Sequence, residues 1–378
     1  MIEKMSATLS TRLHDVMELK KKGKKIVGYI PNRYIPDELI YACDAIPLPL
    51  IHGGEFAPVI ASTKCLLRFL DTFCRAQIGY RILKQEKLYQ IIDMLIVPVT
   101  DNHVRAIADS WDFYTDVEVV RFGVPHAKTD HGLTYYLEGL RLVKENLEQL
   151  TGNEIRDQKL REEVELSNTM RKLLRKISLM RMSDYPPLSG KDFIELNHTC
   201  LFGDRRSMGE ILKSVYKELK EKKVPILKGP RVLLTGSTMA LGDYKIHDLI
   251  EETGASIVIE EFCEGIQNYW ENVETNGDVV RALADCYFMR SVPGAFFRGS
   301  YKERFDFLLK LITDFKVNGV VWYSLMYRDA YDVEGYLFGR MMEKLKVPFL
   351  KVSSDYNDSE IGALRTRIET FIEVIERR

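Results

Sequence analysis

Six cysteines are the side chains of this chain that are best suited to redox or metal chemistry. They are Cys43, Cys65, Cys74, Cys200, Cys263 and Cys286, and no two of them stand at CxxC spacing. Thiolates this far apart in sequence can be brought together only by the fold, and they could then hold an iron-sulfur centre between two domains. The alternative is structural, because a free cysteine is most often a small buried hydrophobic residue. Composition by itself favours this second interpretation.

Length and charge exclude several classes of function. The chain has 378 residues, 54 of them basic and 55 acidic, and its formal net charge is -1. This length exceeds one ordinary core, so we expect two domains, and the balanced charge offers no field to attract nucleic acid. The N-terminus lacks the features of a signal peptide, and no apolar run approaches the ~18 residues of a membrane span. We therefore expect a cytoplasmic protein with reduced thiols and with no membrane or nucleic-acid partner.

Eight short apolar runs alternate with segments of helical periodicity. They cover residues 25–30, 46–51, 94–99, 117–122, 231–236, 256–262, 319–324 and 348–353. Runs that are apolar on both faces and separated by helices predict parallel strands covered on both sides. Between the two series, residues 130–182 predict nearly continuous helix with a break at Gly152, and further helices follow at about 190–222.

The expected fold class is α/β, with two doubly wound, mostly parallel-sheet domains joined by a helical segment. We place an N-terminal α/β domain at 1–150, a helical connector at 151–228 and a C-terminal α/β domain at 229–378. In such folds ligands bind beyond the carboxyl ends of the strands. Cys263 directly follows one predicted strand, so the cleft between the domains is the expected site.

The common catalytic motifs do not match. There is no HExxH, GxSxG or GxGxxG, and the loop GSTMALGD after residue 235 lacks the Lys-Ser/Thr pair of a Walker A loop. A tight turn between strand and helix explains its glycines more simply than phosphate binding does. On loop position alone, His52, Glu55 and Tyr327 are candidates for donating a proton or polarising a substrate, although a loop histidine is more often structural.

Several segments, taken together and in order, resemble the family of 2-hydroxyacyl-CoA dehydratases and benzoyl-CoA reductase subunits. They include IPDELIYACDAIPLPLIHGG, LYQIIDMLIVPVTDN, RVLLTGSTMALGD, LIEETGASIVIEEFCEG and GALRTRIETFIE. The resemblance runs from about residue 25 to the C-terminus. It implies a two-domain α/β protein with an iron-sulfur cluster between the domains, which receives single electrons from a separate ATP-hydrolysing activator protein.

The chain departs from this family pattern at two customary ligand positions. Family members often carry Cys-Asp where this sequence has Thr100-Asp101, and another cysteine near the position of Arg328-Asp329. Cys43, Cys74 and Cys200 stand where many members have a non-ligand. A total of six cysteines resembles the branch of double-cubane cluster proteins, in which two [4Fe-4S] cubanes share a bridging sulfide and need six thiolates.

That branch implies a specific function. The ligands would be Cys43, Cys65, Cys74, Cys200, Cys263 and Cys286, holding an [8Fe-9S] cluster in the inter-domain cleft. The protein would be an anaerobic, homodimeric oxidoreductase of low potential. It would be reduced by the ATP-hydrolysing activator and would reduce small molecules resembling acetylene, hydrazine or azide.

Two alternatives stay open. One is a 2-hydroxyacyl-CoA dehydratase subunit that holds a single [4Fe-4S] cluster on three cysteines within a heterodimer. The other is a two-lobed small-molecule binding protein or assembly factor without redox chemistry. The iron content of anaerobically purified protein distinguishes the three hypotheses, since the double cubane requires about eight irons per chain and the single cluster about four.

Overall fold

Two four-stranded parallel sheets organise the chain. The computed structural model describes the backbone of residues 2–377 and the side chains of residues 8, 11–299 and 301–377. The first sheet has the order β2-β1-β3-β4 and the second the order β6-β5-β7-β8. The strands are β1 Ile26–Tyr29, β2 Ile46–Pro49, β3 Met94–Val99, β4 Glu118–Gly123, β5 Arg231–Gly236, β6 Ser256–Glu261, β7 Gly319–Leu325 and β8 Phe349–Ser354. The predicted α/β class and all eight predicted strands are confirmed.

Helices cover the faces of both sheets. They are α1 Ile2–Lys21, α2 Glu38–Ala42, α3 Phe56–Ala61, α4 Thr72–Leu83, α5 Asn102–Tyr114, α6 Asp130–Thr151, α7 Asp157–Leu179, α8 Gly190–Phe202, α9 Arg205–Glu221, α10 Lys245–Glu252, α11 Val279–Ala284, α12 Ser300–Asp314, α13 Asp329–Lys344 and α14 Ile361–Glu376. Every residue of β1, β5 and β7 is buried, as expected for strands covered on both faces. Gly152 ends α6 at φ 70°, a left-handed conformation that favours glycine.

The cores of the two halves are continuous. One apolar cluster contains Leu48 and Leu95 of the first sheet together with Leu234 and Val321 of the second. A second cluster joins strand residues of the first sheet to a segment that comes much later in the chain, from Val273 to Phe297. Part of the C-terminal half thus packs on the N-terminal sheet. The domain boundary at residue 229 stays a prediction.

None of the described helices is both long enough and apolar enough to cross a membrane. Most of the long helices are amphipathic instead. In α6, for example, Tyr136, Leu140 and Leu147 are buried against the first sheet while the opposite face is exposed.

Candidate functional site in the inter-domain cleft

The carboxyl ends of the two sheets meet across one cleft. Arg33, in the loop after β1, donates a hydrogen bond to the carbonyl oxygen of Gln267 after β6. The loops after β2 and β5 join through a short parallel backbone bridge between His52 and Leu241. In each sheet the strand order reverses at the central pair, and such a crevice is where open parallel α/β folds bind ligands. We therefore take this cleft as the candidate site.

An ion pair joins the ends of β3 and β7 inside the cleft. Arg328 Nη1 donates to Asp101 Oδ1 at 2.8 Å, and Arg328 Nε lies 4.0 Å from Asp71 Oδ2. We call these three residues the Arg328 cluster. Burial works to raise the pKa of Asp101, but the Arg328 guanidinium holds it below its usual range. Arg328 and Asp101 are therefore both charged, and they stabilise each other.

Cys74 lies beside the Arg328 cluster because Asp71 also caps α4. The Asp71 Oδ1 atom accepts a hydrogen bond from the Cys74 backbone N–H at 2.8 Å. Burial raises the pKa of the Cys74 thiol, the Asp71 charge raises it further, and Arg328 opposes both effects. The resemblance implies cysteine ligands at the positions of Thr100 and Arg328. Arg328 is instead paired with Asp101, the residue after Thr100, and the neutral thiol of Cys74 lies beside this pair.

Cys65 lies at the mouth of the cleft. It follows α3 in a loop that leads to α4, and it is partly exposed. Phe69 of the same loop packs edge to face on Tyr327, with ring centroids 5.7 Å apart. The exposed rings of Phe69 and Tyr327, with the exposed Leu67 in the same loop as Phe69, are called the apolar rim.

Cys263 lies directly beyond β6, as predicted. Its Sγ donates to Gln267 Oε1 at 3.6 Å. Burial, with Glu264 and Glu261 adding to it, raises the pKa of the thiol to about 12. Glu261 is itself paired with the buried Arg304, whose Nη2 lies 2.6 Å from Glu261 Oε2. Cys263 is thus a neutral thiol at the edge of a fixed charge network.

Cys200 and Cys286 lie on either side of Arg33. Cys200, on α8, lines one cavity with Arg33, and Cys286, in a π-helical turn after α11, lines a second cavity with the same arginine. The Arg33 charge also lowers the pKa of Cys263 and of Cys286 against the dominant effect of burial, which raises both. Cys200 and Cys286 therefore share cavities with Arg33, and the Arg33 charge also acts on Cys263.

Cys43 lies at the opposite edge of the first sheet. It follows α2 and precedes the amino end of β2, whereas the cleft is at the carboxyl ends of the strands. Its Sγ donates to the Ile40 carbonyl oxygen at 3.1 Å, and Asn153, just beyond α6, donates to its backbone oxygen at 3.0 Å. Burial raises the pKa of this thiol to about 11. Cys43 has the partners of a structural cysteine.

These positions do not fit the cluster that the resemblance implies. A double cubane needs six convergent thiolates, and Cys43 faces away from the cleft. A single [4Fe-4S] cluster at the ligand positions that the resemblance implies would find the Arg328 guanidinium where it needs a thiolate. Among the residues that the structure describes, no three His, Cys, Asp or Glu side chains are grouped so that they could hold a metal ion. The six-cysteine ligand set therefore stays a prediction.

The three proton-donor candidates have different surroundings. His52 packs among the rings of Tyr80, Tyr89 and Phe202, and burial lowers its pKa despite the pairing with Glu86 at 3.3 Å. Glu55 precedes α3 and is exposed. Tyr327, at φ 67°, belongs to the apolar rim at the mouth of the cleft. Of the three, Tyr327 is the one nearest to the Arg328 cluster in sequence, and nothing in the structure assigns it a proton.

Two cleft residues escaped sequence reasoning. Glu264 is buried, and this burial raises its pKa to about 8, so that at neutral pH it is an uncharged acid able to donate a proton. Its only sequence signal was its place one residue after Cys263. Arg33 carries no motif, and its signal is conformational, because a buried non-glycine residue at φ 72° appears only in the structure.

Comparison with known proteins gives the family. Residues 32–375 match the family described as 2-hydroxyglutaryl-CoA dehydratase, D-component. The chain is 25% identical to the Escherichia coli protein YjiM, which is named as a dehydratase subunit, over 99% of this chain and 97% of that one. It is 23% identical to a benzoyl-CoA reductase subunit of Thauera aromatica, over 94% and 92% of the two chains.

A third relative is the beta subunit of (R)-2-hydroxyglutaryl-CoA dehydratase of Acidaminococcus fermentans, 20% identical over 98% of this chain and 97% of that one. All three relatives are named as subunits of dehydratases or of a reductase, and this supports an enzymatic role for the present chain. Since the family match spans nearly the whole sequence, the chain belongs to the family of the 2-hydroxyglutaryl-CoA dehydratase D-component.

Proposed function

We propose that this chain is one subunit of a multi-component enzyme of the dehydratase and benzoyl-CoA reductase type, and that fixed charges rather than a cluster occupy the centre of its cleft. The observation that carries this proposal is the Arg328 cluster, in which Arg328 and Asp101 pair at 2.8 Å. The resemblance implies a cysteine near the position of Arg328 and another at Thr100, directly before Asp101. A guanidinium held between two carboxylates neither ligates iron nor leaves room for a thiolate. The redox centre of such an enzyme would come from another subunit.

The cleft supplies acid chemistry of its own. Burial raises the pKa of Glu264 to about 8, so this carboxyl keeps its proton at pH 7, and Arg328 and Asp71 are among the charges that act on it. In a dehydration, a neutral acid can protonate a departing hydroxyl group. We assign Glu264 this role, with Arg328 as the fixed positive charge that would orient an anionic or carbonyl group of the substrate.

The apolar rim supports assembly with a second subunit. Leu67 and Phe69 are 75% and 66% exposed, and the ring of Phe69 packs on Tyr327. Contiguous exposed apolar side chains of this kind are typical of protein contacts. The relatives are named as subunits of larger enzymes, which is consistent with a partner that covers this rim.

Anaerobic determination of iron and sulfide on the purified chain tests the proposal. We expect well under one iron per chain, because no three cysteines among the described residues are grouped closely enough to hold a metal. About four or about eight irons per chain would overturn it, and the two values would distinguish a single cubane from a double one.

A gain-of-ligand variant gives a sharper test. Thr100→Cys combined with Arg328→Cys places two thiols at the customary positions beside Cys74, and we expect this variant to bind iron after anaerobic reconstitution. The matched control is Thr134→Cys with Arg141→Cys, which adds the same two thiols on the exposed face of α6. Equal iron in the two variants would show that the strand ends do not form a ligand site. Circular dichroism checks that both variants fold.

A second candidate function is the double-cubane reductase, with an [8Fe-9S] cluster, an ATP-hydrolysing activator and a homodimeric assembly. The observation that favours it is the placement of Cys200, Cys263 and Cys286 around Arg33. The cluster would supply electrons at low potential for the reduction of small molecules such as acetylene, hydrazine or azide.

Two single variants test this second candidate. If all six cysteines are ligands, Cys43→Ala and Cys263→Ala should each reduce the bound iron of the anaerobic protein. Because Cys43 lies at the opposite edge of the sheet, unchanged iron in Cys43→Ala together with lost iron in Cys263→Ala would contradict the six-ligand set. Reduction of acetylene only in the presence of the activator and ATP would support the reductase.

A further inference from the structure

A cavity lies on the side of Arg33 that faces the helical connector. It has a volume of about 90 Å³ and is bounded by the loop after β1 and by α2, α7 and α8. It shares no residue with the Arg328 cluster. Arg33 also lines a neighbouring cavity of about 280 Å³ on the side of Trp270 and a third of about 20 Å³ beside Cys286, so three cavities share this residue. The lining of the 90 Å³ cavity includes the polar residues Ser167, Asn197 and Asn268 beside its apolar ones.

Four polar atoms of this lining have no hydrogen-bond partner among the described residues. They are Arg33 Nε, Ser167 Oγ, Asn197 Oδ1 and Asn268 Nδ2. The residues Arg33, Ser167 and Asn197 are only 6%, 6% and 0% exposed. Leaving a buried donor or acceptor unpaired costs about 1–3 kcal/mol. Four such atoms around one cavity indicate a ligand that satisfies them.

Among the described side chains, one cation of the cavity lining has no carboxylate partner. Arg171 is paired with Glu38 at 2.6 Å and Arg205 with Asp37 at 2.5 Å. Arg33, in contrast, has no carboxylate within ion-pair distance among the described side chains, and its backbone is in the left-handed region at φ 72°. A buried unpaired cation in a strained conformation is costly, and such positions cluster at binding sites.

We propose that this cavity binds a small monoanionic hydroxycarboxylate. The Arg33 Nε–H and the Asn268 amide N–H donate to the carboxylate oxygens, and the ligand hydroxyl donates to Asn197 Oδ1 and accepts from Ser167 Oγ. Asn197 is oriented for this, because its Nδ2 donates to the Glu264 carbonyl oxygen at 2.6 Å and its Oδ1 is left to accept. A fully deprotonated oxyanion such as sulfate offers no donor to that atom.

The size of the cavity agrees with this ligand. An engineered cavity of about 150 Å³ is sufficient for benzene, so a volume of about 90 Å³ suits an anion of roughly four to six non-hydrogen atoms. Glycolate, with its carboxylate and one hydroxyl, is the simplest member of the class. The inference goes beyond the proposed function, since it concerns a separate cavity and does not depend on the iron content of the chain.

Calorimetric titration of the purified full-length chain tests the proposal. We expect glycolate to bind at one site per chain, with acetate and sulfate about tenfold weaker because each lacks the hydroxyl donor. Arg33→Gln should weaken glycolate at least about tenfold. The control Arg175→Gln changes an arginine of α7 that does not line the cavity, and it should leave glycolate binding unchanged.

If Arg33→Gln does not fold, the variant Ser167→Ala provides a second test in the same titration. It should weaken glycolate about threefold or more and leave acetate unaffected, because only the hydroxyl loses a partner. Any of three results overturns the proposal: no saturable glycolate binding to the wild-type chain, tighter binding of sulfate or inorganic phosphate than of glycolate, or undiminished glycolate binding in both variants.

Discussion

Two buried arginines at the cleft have opposite surroundings. Arg328 pairs with Asp101 at 2.8 Å and approaches Asp71 at 4.0 Å. Arg33 is buried to a similar degree, yet its guanidinium donates to the Gln267 carbonyl oxygen rather than to a carboxylate, and its backbone is at φ 72°. Arg328 follows β7 and Arg33 follows β1, so each lies beyond the carboxyl end of a central strand of its sheet.

This difference distinguishes an arginine that stabilises the fold from an arginine that is available to bind a ligand. A paired buried arginine stabilises the fold only as long as both partners are present, because removing one leaves the other unpaired and buried. An unpaired buried arginine contributes little to stability and is retained for what it binds. The comparison therefore predicts that equal substitutions at the two positions have unequal effects.

The largest effect is expected at Arg328. Arg328→Met keeps the length and apolar stem of the side chain but leaves Asp101 and the buried Asp71 without their cation. We expect the free energy of unfolding to fall by about 3 kcal/mol, measured by urea denaturation at pH 7. The control is Arg365→Gln, which removes an exposed pair with Glu252 and should cost less than about 1 kcal/mol. Equal losses in the two variants would contradict a structural role for Arg328.

An effect of similar size, but dependent on pH, is expected at a carboxyl group that has no arginine partner among the described side chains. Asp243 is buried and accepts a hydrogen bond from Tyr323 at 2.6 Å, and burial raises its pKa to about 6. The folded state therefore keeps this proton between about pH 4 and pH 6, while the unfolded state loses it. This group makes the folded state less stable as pH rises through that window, by about 3 kcal/mol in total.

Asp243→Asn removes that dependence. The difference in unfolding free energy between the variant and the wild type should change in favour of the variant as pH rises from 4 to 6, and then level off. Urea denaturation at several pH values measures it. A constant difference over this range would mean that the carboxyl is already ionised in the folded state.

The smallest effect is expected at Arg33. Arg33→Asn removes an unpaired cation, and asparagine tolerates a left-handed backbone better than most residues do. We expect the unfolding free energy to change by less than about 1 kcal/mol in either direction, in the same denaturation experiment. A loss as large as that of Arg328→Met would show that Arg33 is a structural residue and would remove the distinction between the two arginines.

Much of the fold could be predicted because it depends on local patterns. The eight apolar runs became eight strands, and the break at Gly152 became the end of α6, because burial on both faces and a left-handed cap leave direct traces in sequence. The order of the strands and the packing of the segment from Val273 to Phe297 on the first sheet left no such trace. Both depend on contacts between residues that are far apart in the chain.

The candidate site shows the same division. By itself the sequence determined the α/β class, the family resemblance and the number of cysteines, and the resemblance led us to expect cysteine at the positions of Thr100 and Arg328. Only the tertiary structure decided that Cys43 lies at the amino edge of its sheet, that Arg328 pairs with Asp101, and that Arg33 lacks a carboxylate among the described side chains. The reason is physical: a side chain's charge state and partners are set by what the fold places within a few ångströms of it, and residue type and spacing do not specify that neighbourhood.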